Sequence, residues 1–227
     1  MPIPAVMDDV VEVSPFERRD DVRVIVNLSG RYMLASKRNL KGERCEFACR
    51  IVNVSLEAMA LAAPVAGPIG ERVILYSEQL GRLHGPIIRL MTNGFVISIA
   101  ASQQTRDKLA AKLDWLVKQK DAPELRDSRR HPRVVPKNPM ATILQADGSL
   151  TSCLVIDFSD SGVGVSADLY PEIGTPLAVG KMVGRVVRRF AEGFAIEFAE
   201  KANLADIERL LASTEQRALS PRILARQ

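Results

Sequence analysis

The chain has 227 residues, 47% hydrophobic and 26% charged, which excludes a disordered chain and allows one or two packed domains. Its 31 Lys plus Arg against 27 Asp plus Glu leave a net charge of +4, too small for wholesale nucleic-acid binding, so any anion site must be local. No apolar run approaches the roughly 18 residues that span a bilayer, and the acidic opening MPIPAVMDDVVEV lacks the basic residues of a secretory signal, so the chain reads as soluble and cytoplasmic, without membrane insertion.

In chain order, the first block carries the strand-like runs RVIVNLSGRYML, CEFACRIVNVS, RVILYS and GFVISIA, rich in β-branched residues and bounded by turn formers. An amphipathic helix follows, SQQTRDKLAAKLDWLVKQ, with Ser102 as N-cap and Leu109, Leu113 and Leu116 on one stripe, Val117 beside them. Trp115 is expected to pack between this helix and the sheet. The stretch QKDAPELRDSRR, charged and proline-bearing, reads as a linker. A second β-rich block then runs through MATILQADGSLTSCLVIDFS, GVGVSAD, GRVVRRF and GFAIEFA, with a hairpin turn at Asp147 and Gly148. It closes on NLADIERLLAS, where Asn203 caps and Leu204, Ile207 and Leu211 form the apolar stripe.

The blocks answer each other in order at a spacing of about a hundred residues. ERRDDVRV matches DSRRHPRV, VNVSLEA matches IDFSDSG, GPIIRL matches GRVVRR, and NGFVISI matches EGFAIEF. The interval from Gly85 to Gly94 equals that from Gly184 to Gly193. The expectation is a mainly β protein of two tandem antiparallel β-barrels, each followed by a helix. The boundaries are residues 14–120 for the first domain, 121–127 for the linker and 128–215 for the second.

Two clusters in the second block carry chemistry. Arg129 and Arg133, with Arg130 between them, offer fixed N–H forks that suit phosphates and flat faces on which a purine can stack. Asp157, Ser159 and Gly162 end an apolar strand. The carboxylate can accept from adjacent N–H donors such as the guanine edge, and the serine can meet a phosphate or brace the turn. The glycine permits a positive φ or a close backbone approach. Together they describe a site for a guanine nucleotide with accessible phosphates. Taken alone, SRRHPR also fits a solvated basic linker, and DFSDSG an Asx or Ser turn.

An RxxxR pair followed some thirty residues later by [D/N]xSxxG, in a β domain that ends in a helix, resembles the PilZ family. That resemblance implies a receptor for cyclic di-GMP, with Arg129, Arg130 and Arg133 gripping phosphates and stacking on guanines. It further implies that Asp157 and Ser159 read a guanine and line the pocket, while Gly162 shapes the loop. Receptors of this family are readers of the messenger, associated with motility or exopolysaccharide regulation, and act through interdomain or partner rearrangement. A protein partner is expected, and so is the absence of any cofactor beyond the ligand cyclic di-GMP. The rival reading is a PilZ-like adaptor that binds no ligand.

The first block keeps Arg19 and Arg23 of RxxxR, and Asn53 and Ser55 of the second motif, but puts Ala58 where glycine stands. Asp20, Asp21 and Glu57 add acids that weaken attraction for phosphate. A methyl group at Ala58 would strain a backbone that wants positive φ. This is a degenerate second site, in a domain more suited to structure or interaction. Catalysis has few parts here. Only His84 and His131 are present, Cys45, Cys49 and Cys153 lack CxxC spacing, and no nucleophile-elbow serine or phosphate-binding glycine loop occurs. The chain therefore reads as neither an enzyme nor a metalloprotein.

Overall fold

The alternating runs become strands, and each set of six closes on itself. The computed structural model describes residues 23–39, 41–118 and 133–212. β1 (Val24–Arg38), β2 (Arg44–Val54), β3 (Ala58–Ala62), β4 (Arg72–Ser77), β5 (Gly81–Met91) and β6 (Gly94–Ser98) form a closed antiparallel barrel in the order β1-β2-β3-β6-β5-β4. Helix α1 (Gln103–Lys118) follows. β7 (Met140–Leu144), β8 (Leu150–Phe158), β9 (Gly162–Ala167), β10 (Pro176–Val179), β11 (Met182–Phe190) and β12 (Gly193–Phe198) close a second barrel in the same order, β7-β8-β9-β12-β11-β10, ahead of α2 (Leu204–Leu211). The expected linker, residues 121–127, lies outside the described residues.

The shared glycine interval has a steric cause. A Cβ on Gly85 would sit 1.6 Å from the Ser98 carbonyl oxygen, and one on Gly184 would sit 2.2 Å from that of Glu197. At Gly94 the obstacle is Leu61 O at 1.9 Å, and at Gly193 it is Val165 O at 2.0 Å. The same strands press together at the same points of both barrels, so only glycine fits there.

Each barrel has its own core. Tyr32, Phe47 and Phe95 fill the first, with Tyr32 5.7 and 5.4 Å from the other two rings and its hydroxyl donating to Val65 O. Phe158, Phe194 and Ile196 fill the second. In α1, Leu109 and Leu113 are buried and Leu116 packs beside them, while Ser102 Oγ accepts from Thr105 N at 3.4 Å. Trp115 does not pack against the sheet. It is 52% exposed, because two residues past Leu113 a helix has turned about 200° away from the buried stripe. α2 buries Ile207 and Leu211, and the Asn203 side chain accepts from Ala205 N.

The barrels meet along β2 of one and β8 and β9 of the other. Ala48, Met140 and Leu154 make a small apolar contact with Ile156 beside it. Around it the bonds are polar. Ala48 N donates to Ser166 Oγ at 2.9 Å, Tyr170 Oη to Cys45 Sγ at 2.9 Å, Arg50 Nη2 to Ile156 O at 2.7 Å, and Lys37 pairs with Asp168.

A candidate anion-binding cleft on the second barrel

Three pieces of backbone bring the two motifs together. The β8–β9 ladder slips by one residue between Val155 and Asp157, leaving Ile156 as a bulge, and such bulges re-aim the next side chain. A tight turn joins the strands, with Ser159 N donating to Gly162 O at 2.8 Å and Ser161 N to Ser159 Oγ at 3.4 Å. Val134 then bridges to Phe158 by a reciprocal pair of bonds at 2.8 and 2.9 Å. That bridge delivers Arg133 to the bulged strand, and its Nη1 lies 3.0 Å from Asp157 Oδ2. The two motifs, separated in sequence, thus share one ion pair. Arg129 and Arg130 lie outside the described residues.

Gly162 is the first residue of β9 and has no positive φ. Its requirement is the close approach: a Cβ there would come within 2.6 Å of Ile196 O. The Ser turn is also real, so Ser159 braces the loop while lining the cleft that opens beside it.

That cleft has a volume of about 630 Å³ and is lined by Arg133, Asp157, Ser159 and Gly162, together with residues the motifs did not name. Gly164 lies opposite Asp157 in the ladder, and a Cβ on it would meet Asp157 Oδ1 at 3.1 Å. Glycine there makes room for the carboxylate. On the far wall β11 slips between Val186 and Arg188, leaving Val187 as a second bulge, and Arg188 lies 5.7 Å from the Phe190 ring centre. The sequence shows GRVVRRF as a basic strand, but the slip that turns Arg188 to the cleft is a register property with no residue signature. A second cleft of about 990 Å³ runs between the barrels and shares Ile156, Asp157 and Glu192 with the first.

The first barrel repeats the scaffold without the arrangement. Val24 pairs with Val54 as Val134 does with Phe158, and a bulge separates Ile51 from Asn53. Arg23 is exposed, and no ion pair joins it to the second motif among the described residues; Arg19 lies outside them. Asn53 sits in the ladder opposite Ile25 and Ala60. Ser55 is 1% exposed and its hydroxyl is used locally, accepting from Glu57 N and Ala58 N. Ala58 opens β3 in register with Ser98. The position asks for extended backbone, so the methyl group causes no positive-φ strain, contrary to the expectation from sequence. Among the described residues no group of three or more His, Cys, Asp or Glu side chains is placed to hold a metal ion, and no helix is long and apolar enough to cross a membrane.

No curated protein matches the chain. Among solved structures it is similar to the Borreliella burgdorferi PlzA protein in complex with c-di-GMP (14% identity, 86% of this chain and 93% of that one, TM-score 0.29). It is also similar to the Bacillus subtilis inhibitor of motility MotI/DgrA (14%, 88% and 100%, 0.27) and to YcgR in complex with c-di-GMP from Escherichia coli (11%, 82% and 80%, 0.25). The PilZ domain family model matches residues 127–216, which span the whole second barrel, its cleft and α2.

Proposed function

We propose that the chain is a receptor for cyclic di-GMP, which it binds in the cleft of the C-terminal barrel and reports by a rearrangement of the two barrels or of a protein partner. The observation that carries the reading is the Arg133–Asp157 pair in the lining of the cleft. A cation for phosphate and a carboxylate for the guanine N–H edge stand within one ligand's reach. Arg133, with Arg129 and Arg130, takes phosphates and stacks on guanine. Asp157 accepts from guanine, Ser159 lines the pocket, and Gly162 and Gly164 keep backbone and carboxylate close. Val187 and Phe190 supply apolar surface for the bases. The N-terminal barrel binds no ligand in this reading, because Ser55 is buried and internally bonded, and it acts as a structural or interacting partner.

Calorimetric titration of the full chain with cyclic di-GMP tests this directly. Saturable binding at one site per chain, with either one ligand or a stacked pair, is the expected outcome. No heat at micromolar protein, with the chain folded, would end the proposal in favour of a barrel pair that serves only as an adaptor.

A further inference from the structure

Arg50 belongs to β2 of the N-terminal barrel and is only 5% exposed. A guanidinium taken so far from water is destabilising unless bonds replace the lost hydration. Two do so. Nη1 donates to Ser29 Oγ in its own barrel, and Nη2 crosses the interface to Ile156 O at 2.7 Å, while Nε is buried with no partner. Burial pulls this guanidinium below its ordinary pKa, against the opposing influence of Cys49 and Asp157. The fold does not ask for the charge. At the corresponding place in the second barrel, aligned through the Asn53–Asp157 match, stands Leu154, 1% exposed and packed on Ala48 and Met140.

The acceptor is informative. Ile156 is the bulged residue of β8, and the peptide that carries its carbonyl also carries the nitrogen of Asp157. A bond to that carbonyl fixes the peptide plane and hence the direction in which the Asp157 side chain leaves the strand. We infer that Arg50 is a positioning residue, through which the N-terminal barrel aims the Asp157 carboxylate into the cleft of its neighbour. For ligand affinity the inference rests on the cyclic di-GMP reading above; for the orientation of β8 it stands alone.

The test uses the full chain with Arg50→Met, which keeps the apolar stem, and Arg50→Lys, which keeps a charge and one donor. Three quantities are measured: amide hydrogen exchange across residues 154–158 without ligand, affinity for cyclic di-GMP, and melting temperature. In Arg50→Met, exchange at 154–158 should rise about tenfold, and affinity should fall about tenfold, the loss of one hydrogen bond. Arg50→Lys should recover most of both. Wild-type exchange at 154–158 in Arg50→Met overturns the proposal, as does a lower melting temperature with affinity unchanged. If Arg50→Met does not fold, Arg50→Lys decides: exchange and affinity moving together support the role, and affinity lost with exchange unchanged refutes it. If the wild-type chain binds no cyclic di-GMP, the ligand reading falls and the exchange result alone judges Arg50.

Discussion

Arg133 and Asp157 satisfy each other before any ligand arrives, so a ligand that takes either must first part them. Their side chains are 41% and 25% exposed, and ion pairs of that exposure contribute about 0–1 kcal/mol. A charge-assisted bond from either group to a phosphate or a guanine edge contributes about 1.5–3 kcal/mol. The exchange therefore favours the ligand. Arg133→Ala and Asp157→Ala should each weaken cyclic di-GMP binding about tenfold to a hundredfold, whereas Arg23→Ala, in the first barrel, should leave it nearly unchanged. Calorimetry on the three variants checks the ranking, and a large loss for Arg23→Ala would reverse it. Buried thiols contribute to the alkaline limit. Burial pushes the Cys153 thiol from 9.0 up to about 12, and burial raises Cys49 as well. Because the folded state disfavours the thiolate, this stability is complete below about pH 9 and is lost as pH rises toward 12. Urea unfolding should show Cys153 contributing a decline of about 1.4 kcal/mol per pH unit in that window. Cys153→Ala should lessen the decline by that amount, and an unaltered slope would remove Cys153 from the account.

At the scale of elements, α2 closes the C-terminal barrel with few residues. Ile207 is fully buried, and Glu208 Oε1 accepts from Lys137 N at 2.7 Å, which ties the helix to the segment that delivers Arg133. Ile207→Ala should cost about 2–5 kcal/mol by the cavity it leaves. Trp115→Ala, on the exposed side of α1, should stay within about 0.5 kcal/mol. Denaturant unfolding of both measures the contrast, and equal losses would contradict the burial assigned to them. The same contrast shows what the sequence made legible. Ile207 and Leu109 stood out by helical spacing, and β1, β2, β4 and β8 by β-branched runs. β3 did not, since AMALA is small and lacks β-branched residues. β10 is four residues long and begins at proline, and β5 contains Gly85 and Pro86, which ordinarily signal a break. In β5 the glycine is the consequence of strand contact, which only the closed barrel reveals. The motif residues Arg133, Asp157 and Ser159 were legible because their side-chain chemistry is local. Gly164, Arg188 and Arg50 were not, because their roles come from register slips and from the neighbouring barrel.

For the whole molecule, the contact between barrels decides whether binding can be transmitted. It is a small apolar patch ringed by single polar bonds, so no large hydrophobic term opposes a change of angle between two independent cores. Ile156, Asp157 and Glu192 line both the candidate cleft of the second barrel and the cleft between the barrels. A ligand that draws Arg133 off Asp157 therefore alters a wall common to both. It can shift the arrangement only by its difference in affinity for the two states. One ligand contact made solely in the rearranged state, about 1.5–3 kcal/mol, would move the population about tenfold to a hundredfold. Small-angle scattering of the full chain should then show a changed distribution of interatomic distances at saturating cyclic di-GMP, and Arg133→Ala should lose that change at the same ligand concentration. Superimposable curves from free and saturated wild-type protein would mean that the barrels keep their arrangement, and that the message leaves through a surface of the C-terminal domain itself.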